Sequence, residues 1–232
     1  MKDGGRKLGI TFSNDELVSF EAYRRLLLEG NKITNLTAIT DDEGMVIKHF
    51  LDSVAPCLVC GFCDGMNVID VGSGPGLPGI PLKIHVPSLK LTLLDSIKKK
   101  TNFLKSCCHE LGLHDVAVVQ GRAEEFGRKE GFRGSYDRVV ARAVKPLNVL
   151  VELCIPFLKI GGFFLALKGP SIDEEIEATL EGLEVIGGRI IEKFHYVLPS
   201  EAGERCILVI EKVKETPSSY PRRPGIPEKR PL

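Results

Sequence analysis

The sequence predicts an α/β protein: a mostly parallel seven-stranded sheet, doubly wound by helices and finished by an antiparallel edge hairpin, with a helical segment ahead of it. Three observations carry this. From residue 66 onward, short apolar runs alternate with helical patterns, the signature of parallel strands joined by crossover helices. The last two runs are separated only by Pro199-Ser200-Glu201-Ala202-Gly203-Glu204, too short for a crossover, so they must pair antiparallel. The first run ends in Asp70-Val71-Gly72-Ser73-Gly74-Pro75-Gly76-Leu77-Pro78-Gly79. An acid followed by a glycine-rich turn at a strand end is where open α/β sheets hold ligands.

The elements follow in order. Residues 13–30 read as an amphipathic helix, with Ser13 and Glu16 spaced as a capping box and Leu17, Phe20, Leu27 and Leu28 at helical spacing. Gly30 ends it. A second helix is expected over residues 41–56, with Asp41 as N-cap and Val46, Phe50, Leu51 and Val54 on its buried side. Neither alternates with a strand, so residues 1–60 are expected to form a helical appendage. Residues 61–214 form the sheet domain, with strands at residues 67–71, 89–94, 116–120, 137–141, 163–167, 189–197 and 205–213. Helices are expected over 97–112, closed by Gly112, from Pro146 through Phe157, and over 172–186. Gly161 and Gly162 lead into the fifth strand. Residues 215–232 are Pro-rich and basic with no periodicity, and read as an extended tail.

Composition bounds the function. Hydrophobic residues make up 43% and charged residues 27%, which permits a substantial core and excludes wholesale disorder. The 31 Lys and Arg balance 31 Asp and Glu, so any nucleic-acid contact must come from local basic patches. The first residues are polar and lack a signal peptide's apolar run, and no stretch approaches the roughly 18 apolar residues that span a bilayer. A cytoplasmic protein with no membrane partner is expected. Seven cysteines without secretory context are expected to be reduced. Cys57, Cys60 and Cys63 are spaced C-x2-C-x2-C, which could hold a metal or iron–sulfur cluster given a fourth ligand. The alternative is that Cys57 and Cys60 are small buried hydrophobes on one face of a helix end. The expectation is no metal.

The glycine-rich loop raises the question of a cofactor. Gly74, Gly76 and Gly79 satisfy G-x-G-x-x-G, so a nicotinamide dinucleotide must be weighed. A dinucleotide needs its first glycine at the strand end and a free helix N-terminus for pyrophosphate. Here the match begins four residues after Asp70, and Pro78 removes an amide donor. The Asp70 carboxylate would repel phosphate and attract an amino group. S-adenosylmethionine, cationic at sulfur and free of phosphate, fits better. Asp95 ends the second strand, where a carboxylate accepts hydrogen bonds from ribose hydroxyls. Ala123 and Glu124 follow the third strand, beside the expected adenine; a solvated helix-start acid is the other reading of Glu124.

At this point the sequence resembles a known family. Asn31-Lys32 with Asn35-Leu36-Thr37, His49 with Asp52-Ser53, the glycine-proline loop, Leu93-Leu94-Asp95-Ser96 with Lys99, and Leu167-Lys168-Gly169 are similar to the bacterial 16S rRNA guanine-N7 methyltransferases, also called glucose-inhibited division protein B. The resemblance covers essentially the whole chain, including the ending Tyr220-Pro221-Arg222-Arg223-Pro224-Gly225. It implies a Rossmann-like class I methyltransferase fold, S-adenosylmethionine as cofactor, and methyl transfer to N7 of a guanine in small-subunit RNA. It further implies Gly72 and Leu77 in the loop, Ala123, Glu124, and Arg142 of Ala141-Arg142-Ala143 as cofactor residues; Asp70, Gly74, Gly76 and Asp95 are added from the loop and strand-end positions.

RNA contacts are expected from Arg142 and Lys168 at the ends of the fourth and fifth strands, and from Lys98, Lys99 and Lys100. These three lysines oppose a helix dipole, so a phosphate partner would explain them, a solvated helix face being the alternative. Asn31, Lys32, Asn35 and His49 would line an RNA groove, although a His in such a helix is more often unremarkable, and Arg222 and Arg223 would add a basic tail. N7 carries a lone pair and no proton, so no catalytic acid or base is assigned. The partner is 16S rRNA or the 30S particle, and a monomer without an obligate protein partner is expected. The alternatives are a nicotinamide-dependent oxidoreductase and a noncatalytic RNA-binding or ribosome-assembly module of the same fold.

Overall fold

The computed structural model describes residues 1–142 and 145–232. Its centre is a seven-stranded sheet in the order β3-β2-β1-β4-β5-β7-β6. The strands are β1 (Asn67–Val71), β2 (Lys90–Asp95), β3 (Val116–Gln120), β4 (Tyr136–Arg142), β5 (Leu158–Lys168), β6 (Gly188–Val197) and β7 (Glu204–Lys212). Neighbours from β3 to β5 pair parallel, and β7 runs antiparallel to both β5 and β6. The reversed strand thus lies one in from the edge. The strand order turns back between β1 and β4, which is the crevice that binds ligands in such sheets.

The central strands are apolar throughout because both of their faces are covered. Pleating splits them between two cores. Val68, Leu93, Val140, Leu165 and Ile207 face one core, while Ile69, Leu94, Val139, Phe164 and Leu208 face the other. The first core also takes Phe20, Tyr23, Leu27, Phe50 and Val54. The N-terminal helices are therefore a covering layer of the sheet sharing its core, a closer relation than the expected appendage.

The helix Asn14–Asn31 matches its prediction, with both hydrogen bonds of the Ser13–Glu16 capping box formed. A further short helix, Lys2–Leu8, escaped the sequence because seven residues containing two glycines carry no periodicity. The predicted helix 41–56 is a continuous run that changes type: Asp42–Gly44, a π-helical stretch Met45–Leu51, Asp52–Val54, and a 3-10 turn Ala55–Leu58. The wider π turn puts Ile47, His49, Phe50 and Leu51 inside and leaves Val46 half-buried. Gly161 and Gly162 sit within β5, where the register with β4 shifts. The expected helix 172–186 is two, Asp173–Glu177 and Leu180–Ile186.

The tail is the largest departure. Residues 215–232 fold back on the domain, with Thr216 and Pro227 buried and a helical turn Ile226–Lys229. Its backbone carbonyls, gripped by Arg128 and Arg133, and the Arg222 side chain on Glu152 dock it, a pattern that hydrophobic periodicity does not register.

Candidate active site

At the end of β1 the chain enters the glycine loop. Gly72 and Ser73 donate their amides to the Leu94 carbonyl at 2.8 and 3.1 Å, and the Ser73 hydroxyl donates to the Asp70 carbonyl at 2.9 Å. Gly72, Gly74 and Gly76 have φ of 76°, 57° and 105°, a region that side chains resist. A Cβ at Gly76 would come 2.5 Å from Ile80, and one at Gly79 would come 2.8 Å from the Asp70 carboxylate. At Gly74 the nearest heavy atom would be 3.9 Å away, so the backbone there is open to a ligand. Tyr23 of the N-terminal helix donates its hydroxyl to the Pro75 carbonyl at 2.9 Å and fixes the loop from behind.

Two carboxylates hold this turn. Asp95 accepts from the Gly74 amide at 2.9 Å and from the Ile97 amide at 2.8 Å, one on each oxygen. Asp70 accepts from the Gly79 amide at 2.9 Å, and its other oxygen is buried without a partner. Burial pushes the Asp70 carboxyl up to about 7. Val71, Gly72, Asp95, Lys100, Ala123 and Glu124 line a cleft at the strand ends, with Leu150 and Leu153 as its apolar wall. Asp70 lies beneath the loop, behind that lining. Leu77 is buried and turns the loop by donating its amide to Ser73. Glu124 is buried and accepts from the Gly225 amide at 3.2 Å, so the solvated reading of this acid fails.

Arg142 lines a neighbouring depression instead of this cleft, together with Lys48, His49, Asp52, Lys168 and Arg205. Its guanidinium donates to the carbonyls of Lys48 and His49 at 3.0 and 3.3 Å and to Asp52 at 3.1 Å. Ala143, the last residue of its motif, lies outside the described residues. Asp52 also accepts from the Tyr196 hydroxyl at 2.7 Å and has Arg205 at 3.7 Å. The His49 ring meets the Thr37 hydroxyl at 2.7 Å. Burial, then the Arg142 charge, pushes His49 down to about 4. Lys168 shares the depression as expected, but its ammonium is engaged by the Lys145 carbonyl and Glu175, both at 2.7 Å. Asp52, Tyr196 and Arg205 were not singled out as site residues. His49-x-x-Asp52 spacing could have suggested the first, whereas the hairpin residues have no local motif.

Two of the expected RNA contacts are corrected. Asn31 donates its side-chain amide to the Thr37 carbonyl and accepts from the amides of Leu36 and Thr37, so it staples its own loop. Arg222 forms a two-pronged ion pair with the buried Glu152. Lys32, Asn35, Lys98, Lys99 and Arg223 are exposed, and Lys100 is turned toward the cleft. Cys57 lies in the 3-10 turn, half-buried like Cys60, while Cys63 is exposed. Burial pushes the Cys57 thiol up to about 12. Among the described residues no group of three His, Cys, Asp or Glu side chains is placed to hold a metal, and no helix is long and apolar enough to cross a membrane.

Comparison with known proteins adds three findings. Residues 16–194 match the family model of rRNA small subunit methyltransferase G. The chain is 48% identical over 233 residues to ribosomal RNA small subunit methyltransferase G of Alkaliphilus metalliredigens, covering 100% of this chain and 97% of that protein. The proteins of that name from Geobacillus sp. and Bacillus cereus are 47% and 49% identical over 97% of this chain and 94% of theirs. Among solved structures, a SAM dependent methyltransferase from Aquifex aeolicus superposes with a TM-score of 0.56 at 19% identity, over 79% of this chain and 98% of that one. M. jannaschii TYW2 in complex with AdoMet gives 0.54 at 16% identity, over 76% and 80%. The fold is that of the class I methyltransferases, as the sequence predicts.

Proposed function

The chain belongs to the rRNA small subunit methyltransferase G family, and from that premise we propose that it transfers the methyl group of S-adenosylmethionine to N7 of a guanine in 16S ribosomal RNA. The full-length likeness to proteins of that name carries the reading.

The residues of the cleft fit the cofactor. The open backbone at Gly74 admits a ligand at close range. Each Asp95 oxygen accepts one amide and keeps a lone pair, which suits two ribose hydroxyls. Asp70, buried beneath the loop, holds the Gly79 amide and so fixes the turn that the cofactor would meet. Gly72, Gly76 and Leu77 shape the turn, and Ala123 and Glu124, which line the cleft beside Asp95, would hold the adenine. When bound, S-adenosylmethionine supplies an electrophilic methyl carbon on a cationic sulfur. A dinucleotide fits poorly, because the first helical amide after the loop, that of Gly79, already serves Asp70.

Guanine N7 attacks with a lone pair, so the protein's task is positioning, and no side chain has to remove a proton. Arg142 and Lys168, held by Asp52 and Glu175, present fixed positive charge at the mouth, where they steady the target nucleotide. Lys32, Asn35, Lys98, Lys99 and Arg223 supply outer phosphate contacts. We place the protein in the cytoplasm as a monomer acting on 16S rRNA or the 30S particle. The test is labelled-methyl transfer to 30S particles from cells lacking this protein, with S-adenosylmethionine and nicotinamide cofactors titrated in parallel. Transfer with S-adenosylmethionine-selective binding is expected. Nicotinamide-selective binding, or cofactor binding without transfer to either RNA or particles, would contradict the reading.

A further inference from the structure

The C-terminal segment is built into the cofactor cleft. Two arginines grip its backbone: Arg128 donates to the carbonyls of Ser218, Ser219 and Pro221, and Arg133 to those of Thr216 and Tyr220. Arg222 then pairs with Glu152, whose side chain is 0% exposed, and its own amide donates to the same carboxylate at 2.7 Å. Undoing that anchor would leave a buried charge uncompensated, which is strongly destabilising. The tail is therefore fixed as far as Arg222. Beyond it Leu232 packs on Gly182 and the second core, while Gly225 and Glu228 face the cleft. The Gly225 amide donates to Glu124, and Glu228 joins Asp95 and Ala123 in the lining, with the Lys145 ammonium 3.0 Å from its carboxylate.

We propose that residues 225–228 are the outer wall of the cofactor cleft and that Glu228 is a cofactor-binding residue at its adenosine end. The inference rests on the S-adenosylmethionine reading above. The chemistry is that of the neighbouring acids: a carboxylate beside Glu124 accepts hydrogen bonds from a ribose hydroxyl or the adenine amino group. The Lys145–Glu228 pair, joining the segment after β4 to the tail, closes the cleft from outside. This assigns the end of the tail to the cofactor and leaves Arg223, exposed before it, as the tail's contact to RNA.

The test uses the full chain, a chain ending at Arg223 that keeps the Glu152 anchor, and Glu228→Gln. Calorimetric binding of S-adenosylmethionine and tryptic cleavage after Lys229 are followed in each form that retains the site. The shortened chain should bind about ten-fold more weakly or worse, the worth of one charged hydrogen bond. Glu228→Gln should bind several-fold more weakly, and cofactor should slow cleavage of the full chain. RNA affinity and its salt dependence should be unchanged in both variants. Equal cofactor binding by the full and shortened chains, or a loss of RNA affinity in place of cofactor affinity, would overturn the assignment of the tail alone. Failure of the intact chain to bind S-adenosylmethionine would overturn the cofactor reading itself, and this inference with it.

Discussion

Burial of Asp70 favours its neutral form, raising it from 3.8 to about 7. The sign follows from linkage: the folded chain holds the proton more tightly than the unfolded one, so stability falls as pH rises from about 4 to about 7. Unfolding followed from about pH 4 to about pH 7 should show that fall, and Asp70→Asn, which has no carboxyl to titrate, should remove it. An unchanged slope in the variant would contradict the assignment. His49 is shifted the other way, from 6.5 to about 4. The unfolded chain takes up its proton first as pH falls, so the contribution of His49 to stability is lost between those values. An NMR titration should find its ring neutral down to about pH 5. With no proton to remove from N7, single-turnover methyl transfer should also be flat across roughly pH 6.5–9; a rising limb would point to a general base.

Among the elements, the helix Lys98–Glu110 offers the plainest RNA test, because Lys98 and Lys99 stand exposed on its first turn. Replacing both by Gln should leave cofactor affinity intact and flatten the salt dependence of RNA binding, by roughly one unit of slope per lost phosphate contact. An unchanged slope would make them a solvated face. Lys100 is spared because it lines the cleft. Elements carried by burial pattern or capping chemistry were legible: β1, β3 and the Asn14–Asn31 helix were read from apolar runs and from Ser13 and Glu16. The π-helical stretch was not, since a change of helical pitch leaves no mark in a pattern of only a few turns. Nor was the docked tail, because Arg128 and Arg133 recognise backbone carbonyls that every sequence has.

At the scale of the whole molecule, topology assembles what no local motif announces. Asp70 and Asp95 could be found because each lies in the last residues of a strand running into a loop, and the sheet then sets those ends side by side. The Asp52–Arg142–Tyr196 network joins residues as much as 144 positions apart, through the N-terminal layer, β4 and β6. Its members are unremarkable until the fold is known. The same assembly explains why the Arg222 anchor was not legible: its partner, Glu152, lies 70 positions away in the chain. What we propose this frame does is present a guanine N7 to the methyl donor. It is tested most directly by methylating 16S rRNA or 30S particles from cells lacking this protein, then treating the RNA with borohydride and aniline. N7-methylguanosine carries a fixed positive charge that makes the chain cleavable there, so a single new break at one guanine is predicted. Methylated RNA that survives the treatment uncut would contradict the account.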